Sequence, residues 1–211
     1  MRLSYLFERC LNVHYTRVAD HVDYAIERVG TRLFLYLESS NGAGDWKSNL
    51  DFPAAAYRRR GQTVFSAHRG FLEAFRLLEP HLREAILDPQ VHSVRVVGYS
   101  HGAALGVLAH EYIWYHRRDL RPHLLGYGFG CPRVLFGGRR ASLAERWEGY
   151  TVIRNMDDLI THLPPAALGY YHVGRLLEIG ERGRYSRIDA HRPENILAEL
   201  RRTEKEGGAQ I

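Results

Sequence analysis

The feature that most constrains the fold is an apolar, strand-like run that passes through two glycines into a helix-like segment. Residues 94–97 are Val-Arg-Val-Val, and they lead through Gly98 and Ser100 to Gly102 and an Ala-rich stretch. Gly-x-Ser-x-Gly between a strand and a helix is typical of a tight bend that exposes a serine hydroxyl, and the glycines leave room for that bend. The alternative is a glycine-rich turn in an inert α/β protein. The flanking strand and helix patterns favour Ser100 as a nucleophile.

Strand-like and helix-like patterns alternate along the chain. Helical spacing of apolar residues occurs at residues 15–28, 68–87, 101–115 and 193–200, and strand patterns occur at residues 31–38, 94–97, 124–129 and 150–154. This alternation predicts an α/β fold, with a mostly parallel central sheet and helices on both faces. The length of 211 residues predicts one domain, 1–211, in which residues 203–211 form a frayed polar tail.

Composition excludes several classes of partner. The formal charge is +5, but the Lys and Arg residues are mixed with 24 acidic residues, so we expect no nucleic acid partner. Cys10 and Cys131 follow no metal-ligand or disulfide spacing, which is compatible with a reducing, cytoplasmic environment. No signal peptide is recognised, and no stretch approaches the roughly 20 apolar residues of a transmembrane segment. We expect no cofactor and no metal.

The histidines of one predicted helix raise the alternative of a zinc hydrolase. His110 and Glu111 lie on the same predicted helix as His116. The zinc motif His-Glu-x-x-His needs a second histidine four residues after the first, but that position is Trp114. The spacing therefore argues against a zinc site.

The chain resembles the class 3, or fungal-type, lipase family from residue 31 to about residue 200. Four blocks in order carry the resemblance: Asp45-Trp46 with Asn49-Leu50, residues 68–71, residues 128–134, and residues 155–174. The resemblance implies an α/β-hydrolase fold and an enzyme that acts on acylglycerols or similar esters. It also implies a Ser, Asp, His triad and a short helical lid.

The nucleophile needs a histidine to accept its proton and a carboxylate to orient that histidine. In this fold the acid follows the serine and the histidine comes last. The resemblance aligns the acid with Asp158, whereas the residues alone do not separate it from Asp157. Among the downstream histidines we choose His191, which precedes a short helical segment and resembles the family's final histidine block. Two other histidines, His162 and His172, are expected to be structural.

The resemblance also assigns an oxyanion hole and a lid. The backbone N–H of His101 is the first predicted oxyanion donor, and its imidazole should point elsewhere. Ser40 is the second, although the family's Arg-Gly before this position is replaced by Glu38 and Ser39. Residues 41–52 would form the lid. Its apolar substrate-contact candidates are Trp46, Leu50 and Phe52.

These observations predict a serine hydrolase that cleaves lipid esters, similar to a triacylglycerol lipase, through an acyl-enzyme on Ser100. Its expected partner is a lipid or small ester, at a lipid interface in the case of a lipase. A phospholipase A1 and a short-chain carboxylesterase remain alternatives. The altered loop at Glu38 and the histidine at position 101 keep a further class open, a catalytically impaired scaffold that binds lipid or protein.

Overall fold

The described residues, 1–20, 22–38 and 52–207 of a computed structural model, form two sheets with helices packed around them. The helices are α1 (Leu3–Asn12), α2 (Arg69–Leu87), α3 (His101–His116), α4 (Ala141–Ala144) and α5 (Pro193–Lys205). The strands are β1 (Thr16–Ala19), β2 (Val22–Val29), β3 (Arg32–Glu38), β4 (Ala54–Arg59), β5 (Gln62–His68), β6 (Ser93–Tyr99), β7 (Leu124–Phe129), β8 (Leu135–Phe136), β9 (Tyr150–Asn155), β10 (Tyr170–Tyr171) and β11 (Arg175–Ile179).

The central sheet has the strand order β1-β2-β3-β6-β7-β9-β11. Strands β3, β6, β7, β9 and β11 are parallel, and β1 and β2 extend the sheet as antiparallel strands at one edge. The predicted α/β fold with a mostly parallel sheet is therefore confirmed. Because the parallel strands end at the same edge, the segments after β6, β7 and β9 lie close together.

Helices cover both faces of the sheet. In β3, Leu33, Leu35 and Leu37 pack into the cluster that contains the apolar residues of α2 and α3. The alternate residues Phe34 and Tyr36 pack into the cluster under α1 and α5. The alternating side chains of β3 thus pack into two cores, one on each face of the sheet. Each fully buried leucine contributes roughly 1.5–3 kcal/mol of burial free energy.

A second, smaller sheet has the order β10-β8-β5-β4 and is antiparallel throughout. Its hairpin of β4 and β5 turns at Arg60 and Gly61, both with positive φ. The sequence patterns did not identify this sheet, because its strands are short and partly exposed. It leads directly into α2, whose neighbour α3 carries the Ser100 bend.

The predicted helix at residues 15–28 is wrong. This segment forms strands β1 and β2, while the helix of the N-terminal region is α1, Leu3–Asn12. Val22 and Ile26 fit a helical spacing, but together with Tyr24 they also fit the two-residue period of a strand, and Val and Ile favour strands. Pairing of β2 with β3 along seven residue pairs decides the outcome, and this partner is not visible in the local pattern.

The C-terminal prediction is partly wrong. Helix α5 continues to Lys205, and the Thr203 hydroxyl donates to the Glu199 carbonyl over 2.9 Å, so the tail does not fray from Thr203. Residues 208–211 lie outside the described part. Among the described residues, every helix is too short or too polar to cross a membrane.

Candidate active site

Ser100 sits at a sharp bend between β6 and α3. Its backbone has φ 53° and ψ −120°, and this positive φ is unusual for a residue with a side chain. The Ser100 N–H donates to the carbonyl of Phe129 over 2.9 Å, which fixes the bend to the neighbouring strand β7. Strain of this kind persists only where the surroundings enforce it.

The two flanking glycines are required by close backbone contacts. A Cβ atom at Gly98 would lie 2.4 Å from the carbonyl oxygen of Gly102. At Gly102 it would lie 2.1 Å from the carbonyl oxygen of Leu37 in β3. No side chain fits at these separations, so the helix begins directly against the sheet and its N-terminus faces the Ser100 side chain.

His191 connects Ser100 and Asp158. Its Nε2 lies 2.9 Å from the Ser100 hydroxyl oxygen, and its Nδ1 lies 2.8 Å from Asp158 Oδ2. With the proton on Nδ1, the ring donates to the carboxylate and accepts from the serine hydroxyl. Asp158 is fully buried, and the exposed fractions of His191 and Ser100 are 4% and 7%. Shielding from water strengthens both hydrogen bonds.

The turn after β9 orients the two neighbouring acids differently. Asp158 points inward, where its Oδ1 accepts the Ile160 N–H over 2.9 Å while Oδ2 faces His191. Asp157 points outward and accepts the Gly183 N–H over 2.6 Å. Only Asp158 is therefore in contact with His191, an orientation that the sequence alone could not provide.

The other two downstream histidines lie elsewhere. His162 ends a short 3-10 turn, Ile160–His162, and its backbone carbonyl accepts from Arg133. The His172 Nε2 lies 2.8 Å from the Thr161 carbonyl, and burial lowers the pKa of His172 to about 4. In the part of the chain that the structure describes, neither ring is hydrogen-bonded to Ser100.

Three residues at this site carried no assigned role from the sequence. Tyr99 donates its phenol to the His191 carbonyl over 2.8 Å. Asn155, at the end of β9, donates to the Ala190 carbonyl over 2.9 Å and so holds the segment that bears His191. Gly130 has φ +57°, and a Cβ there would lie 2.7 Å from the Cε1 atom of His191. A signal was available for Gly130, since a glycine directly after a strand beside the Ser100 strand indicates a close approach.

The described residues include only some of those predicted for the oxyanion hole and the lid. His101 is the first residue of α3 and follows Ser100 directly, and the centroid of its ring lies 5.5 Å from that of Phe71. Ser40, Trp46 and Leu50 lie outside the described residues. Phe52 is partly buried, and its carbonyl accepts the Tyr170 hydroxyl over 2.7 Å.

The glutamate of the rejected zinc motif has other partners. Glu111 is fully buried and accepts from the Tyr57 hydroxyl and, over 2.6 Å, from Arg146. Across residues 1–20, 22–38 and 52–207, no group of three or more His, Cys, Asp or Glu side chains is arranged to hold a metal ion.

Comparisons with known proteins give consistent results. The model of the family described as "Lipase (class 3)" matches residues 34–168. A lipase from Rhizomucor miehei is 26% identical over 147 residues, which make up 67% of this chain and 40% of that protein. The chain therefore spans less than half the length of this curated relative.

Solved structures show the same fold. The triacylglyceride lipase of Rhizomucor miehei matches with a TM-score of 0.67 and 23% identity, over 80% of this chain and 66% of that one. A triacylglycerol lipase whose catalytic centre is formed by a serine protease triad matches with a TM-score of 0.68 and 23% identity, over the same shares of the two chains. At this level of identity the similarity concerns the fold.

Proposed function

The chain belongs to the class 3 lipase family, and from this premise we propose that it hydrolyses carboxylic esters of lipids through an acyl-enzyme on Ser100. One observation carries the proposal, the position of the His191 ring between Ser100 Oγ and Asp158 Oδ2, at 2.9 and 2.8 Å. A similar fold with a serine protease triad occurs in a triacylglycerol lipase, which supports the same assignment.

The reaction begins when the Ser100 oxygen attacks the ester carbonyl carbon and its proton passes to Nε2 of His191. Asp158 stabilises the imidazolium, and its second oxygen stays bound to the Ile160 N–H so that the carboxylate keeps its orientation. The tetrahedral intermediate then releases the alcohol, which takes the proton from Nε2. Water repeats the sequence on the acyl-enzyme, releases the carboxylic acid and restores the Ser100 hydroxyl.

Two backbone N–H groups would stabilise the negative oxygen of the intermediate. His101 is the first, because it follows Ser100 directly and opens α3, whose N-terminal N–H groups face the Ser100 side chain. We propose Ser40 as the second donor, on the segment after β3. That strand lies beside the Ser100 bend, since its Leu37 carbonyl is the atom that a Cβ at Gly102 would meet.

Trp46, Leu50 and Phe52 are proposed to contact the acyl chain or a lipid surface. All three are apolar residues of the segment between β3 and β4. The Phe52 carbonyl is tied to Tyr170, which fixes the end of this segment to the small sheet. The lipid substrate of the similar proteins supports a lipid ester over a small polar ester.

A fluorophosphonate probe tests the nucleophile. It should label folded protein once, on the peptide that contains Ser100, and labelling should disappear in Ser100→Ala. Ser142→Ala is the matched control, since this serine is exposed on α4, and it should label as wild type does. Absence of labelling in folded wild-type protein would favour a non-catalytic scaffold.

A substrate panel tests the lipid assignment. We expect turnover of emulsified triglyceride and of long-chain p-nitrophenyl esters, because the proposed acyl contacts are apolar. Hydrolysis restricted to soluble short-chain esters would reduce the function to that of a carboxylesterase. Hydrolysis of diacyl phospholipid at the first acyl position, with no action on triglyceride, would identify a phospholipase A1.

A further inference from the structure

A cavity of about 140 Å³ lies between β8, α4 and the segment that follows β10, and it is a second candidate site beside that of Ser100. Neither Ser100 nor His191 is among its lining residues. The lining includes the buried side chains Leu135, Leu143, Trp147 and Val173. At its mouth are the exposed residues Arg139 and Arg140. The cavity therefore has an apolar interior and two positively charged side chains at its opening.

We propose that this cavity binds a carboxylate amphiphile, a free fatty acid of short to medium chain, with its carboxylate between Arg139 and Arg140 and its alkyl chain against Trp147. Nothing in the ester hydrolysis proposed for Ser100 uses these residues. The cavity is therefore a binding site additional to the hydrolytic site at Ser100.

The charge at the mouth is not neutralised by any acidic side chain of the described residues. In the described part of the chain, neither Arg139 nor Arg140 forms an ion pair. The Arg139 guanidinium lies 5.5 Å from the centre of the Tyr171 ring. Burial raises the pKa of Tyr171, and the positive charges of Arg139 and Arg140 oppose that rise. A guanidinium presents paired N–H groups that match a carboxylate.

The interior selects for an alkyl chain. Trp147 is held in place because its indole N–H donates to the Val107 carbonyl over 2.9 Å, so its polar atom is satisfied inside the protein. The ring and the side chains of Leu135, Leu143 and Val173 offer apolar contacts to a ligand. The cavity is small, and we therefore expect it to hold the first several methylene groups of a chain. Each buried methylene raises affinity about fourfold.

Hydrogen-bonded residues lie between this cavity and the triad. His172 lines the cavity and bonds to the Thr161 carbonyl, and the Thr161 hydroxyl bonds to the Asp158 carbonyl over 2.8 Å. Thr161 and Asp158 are both fully buried, so they do not open into the cavity. Occupation of the Ser100 site should therefore leave the second cavity accessible. That the fatty acid is the protein's own product rests on the proposed function, whereas the binding itself does not.

Isothermal titration with octanoate below its micellar concentration tests the proposal on the full chain. Arg139→Ala with Arg140→Ala should weaken binding at least about tenfold, because each removes a charge-assisted hydrogen bond. Ala144→Trp should also abolish binding, since it fills the cavity from its exposed edge and keeps both arginines. Arg58→Ala with Arg60→Ala removes the same charge from exposed sites elsewhere and should change affinity less than twofold.

Titration with fatty acids of increasing chain length is the second test. Affinity should rise from butanoate to octanoate by about fourfold per methylene until the cavity is full. Ser100→Ala, in which ester hydrolysis should be lost, should bind octanoate like wild type, so that failure of the two proposals can be told apart. The proposal is overturned if the Arg139 and Arg140 double variant binds as wild type does, or if inorganic phosphate or butanoate binds as tightly as octanoate.

Discussion

Tyr99 and His191 are joined twice. The Tyr99 phenol donates to the His191 backbone carbonyl over 2.8 Å, and the two rings stack with centroids 5.3 Å apart at an angle of 24°. Burial raises the pKa of Tyr99, so the phenol stays protonated and acts as the donor. Because Tyr99 precedes Ser100, the bend that carries the nucleophile also holds the segment that carries the base.

Removal of the Tyr99 hydroxyl should therefore misplace His191. In Tyr99→Phe the stacked ring remains and one hydrogen bond is lost, so kcat should fall about three- to tenfold while KM stays unchanged. Tyr15→Phe is the control, since its hydroxyl also donates to a backbone carbonyl, that of Cys10, but does not contact the triad. Steady-state kinetics on a p-nitrophenyl ester distinguishes the two variants. A rise in KM at constant kcat would show that Tyr99 acts on substrate binding instead.

The neighbouring acids provide a matched pair. Asp158→Asn should reduce kcat by about 10⁴-fold, because the amide cannot stabilise the imidazolium and favours the wrong tautomer of His191. Asp157→Asn makes the same chemical change on a partly exposed side chain that accepts the Gly183 N–H and points away from His191, and its kcat should stay within about twofold of wild type. Comparable losses in both variants, with both proteins folded by circular dichroism, would contradict the assignment of the acid.

Gly130 should be essential for the position of His191. An alanine there adopts a left-handed backbone, at a cost of roughly 1–2 kcal/mol in the free energy of unfolding, and its Cβ meets the imidazole. Gly183→Ala is the control, because Gly183 has φ +76° and open space around its Cβ position. Both variants should lose stability in denaturant unfolding, but only Gly130→Ala should also lose most of its activity. Full activity in Gly130→Ala would mean that His191 is free to move.

The partly buried His172 predicts a pH dependence of stability. Its pKa is about 4 in the folded protein because burial disfavours the charged form, against about 6.5 when unfolded. Between these values the unfolded chain binds more protons, so its contribution to stability is complete above pH 6.5 and is lost as the pH falls toward 4. The maximal slope is about 1.4 kcal/mol per pH unit.

Urea unfolding between pH 4 and pH 7 measures this slope. In His172→Gln, which keeps a donor toward the Thr161 carbonyl, the free energy of unfolding should fall less steeply than in wild type. His123→Gln replaces an exposed histidine and should reproduce the wild-type slope. Equal slopes in all three proteins would show that His172 does not resist protonation.

The sequence predicted those parts of the fold whose signal is local. Strand β6, the bend at Ser100 and helix α3 follow one another directly, so their hydrophobic pattern and glycines were sufficient. Strand β2 was misassigned because Val22 and Ile26 satisfy two periods at once and only the pairing with β3 decides between them. The short strands of the second sheet depend on partners that are distant in sequence, such as β8 beside β5.

In the active site, too, the sequence predicts what depends on local signals and misses what depends on contacts distant in sequence. Ser100 follows from its own neighbours in the chain, whereas the choice between Asp157 and Asp158 depends on the direction of a turn. The contact of His191 with Ser100 joins residues that are 91 positions apart, and family resemblance rather than local chemistry pointed to it. Tyr99 acquires a role only when His191 is placed beside it, whereas the position of Gly130 directly after a strand indicates a close approach but not the residue that approaches.

The most direct test of the central claim is intact-protein mass spectrometry during turnover of a p-nitrophenyl ester. We predict an acyl adduct that peptide mapping locates on the peptide containing Ser100, together with a burst of nitrophenol equal to the enzyme concentration when deacylation is slow. In Ser100→Ala both should be absent, and turnover should fall by at least about 10⁴-fold. Ester hydrolysis by folded Ser100→Ala at the wild-type rate would contradict the account.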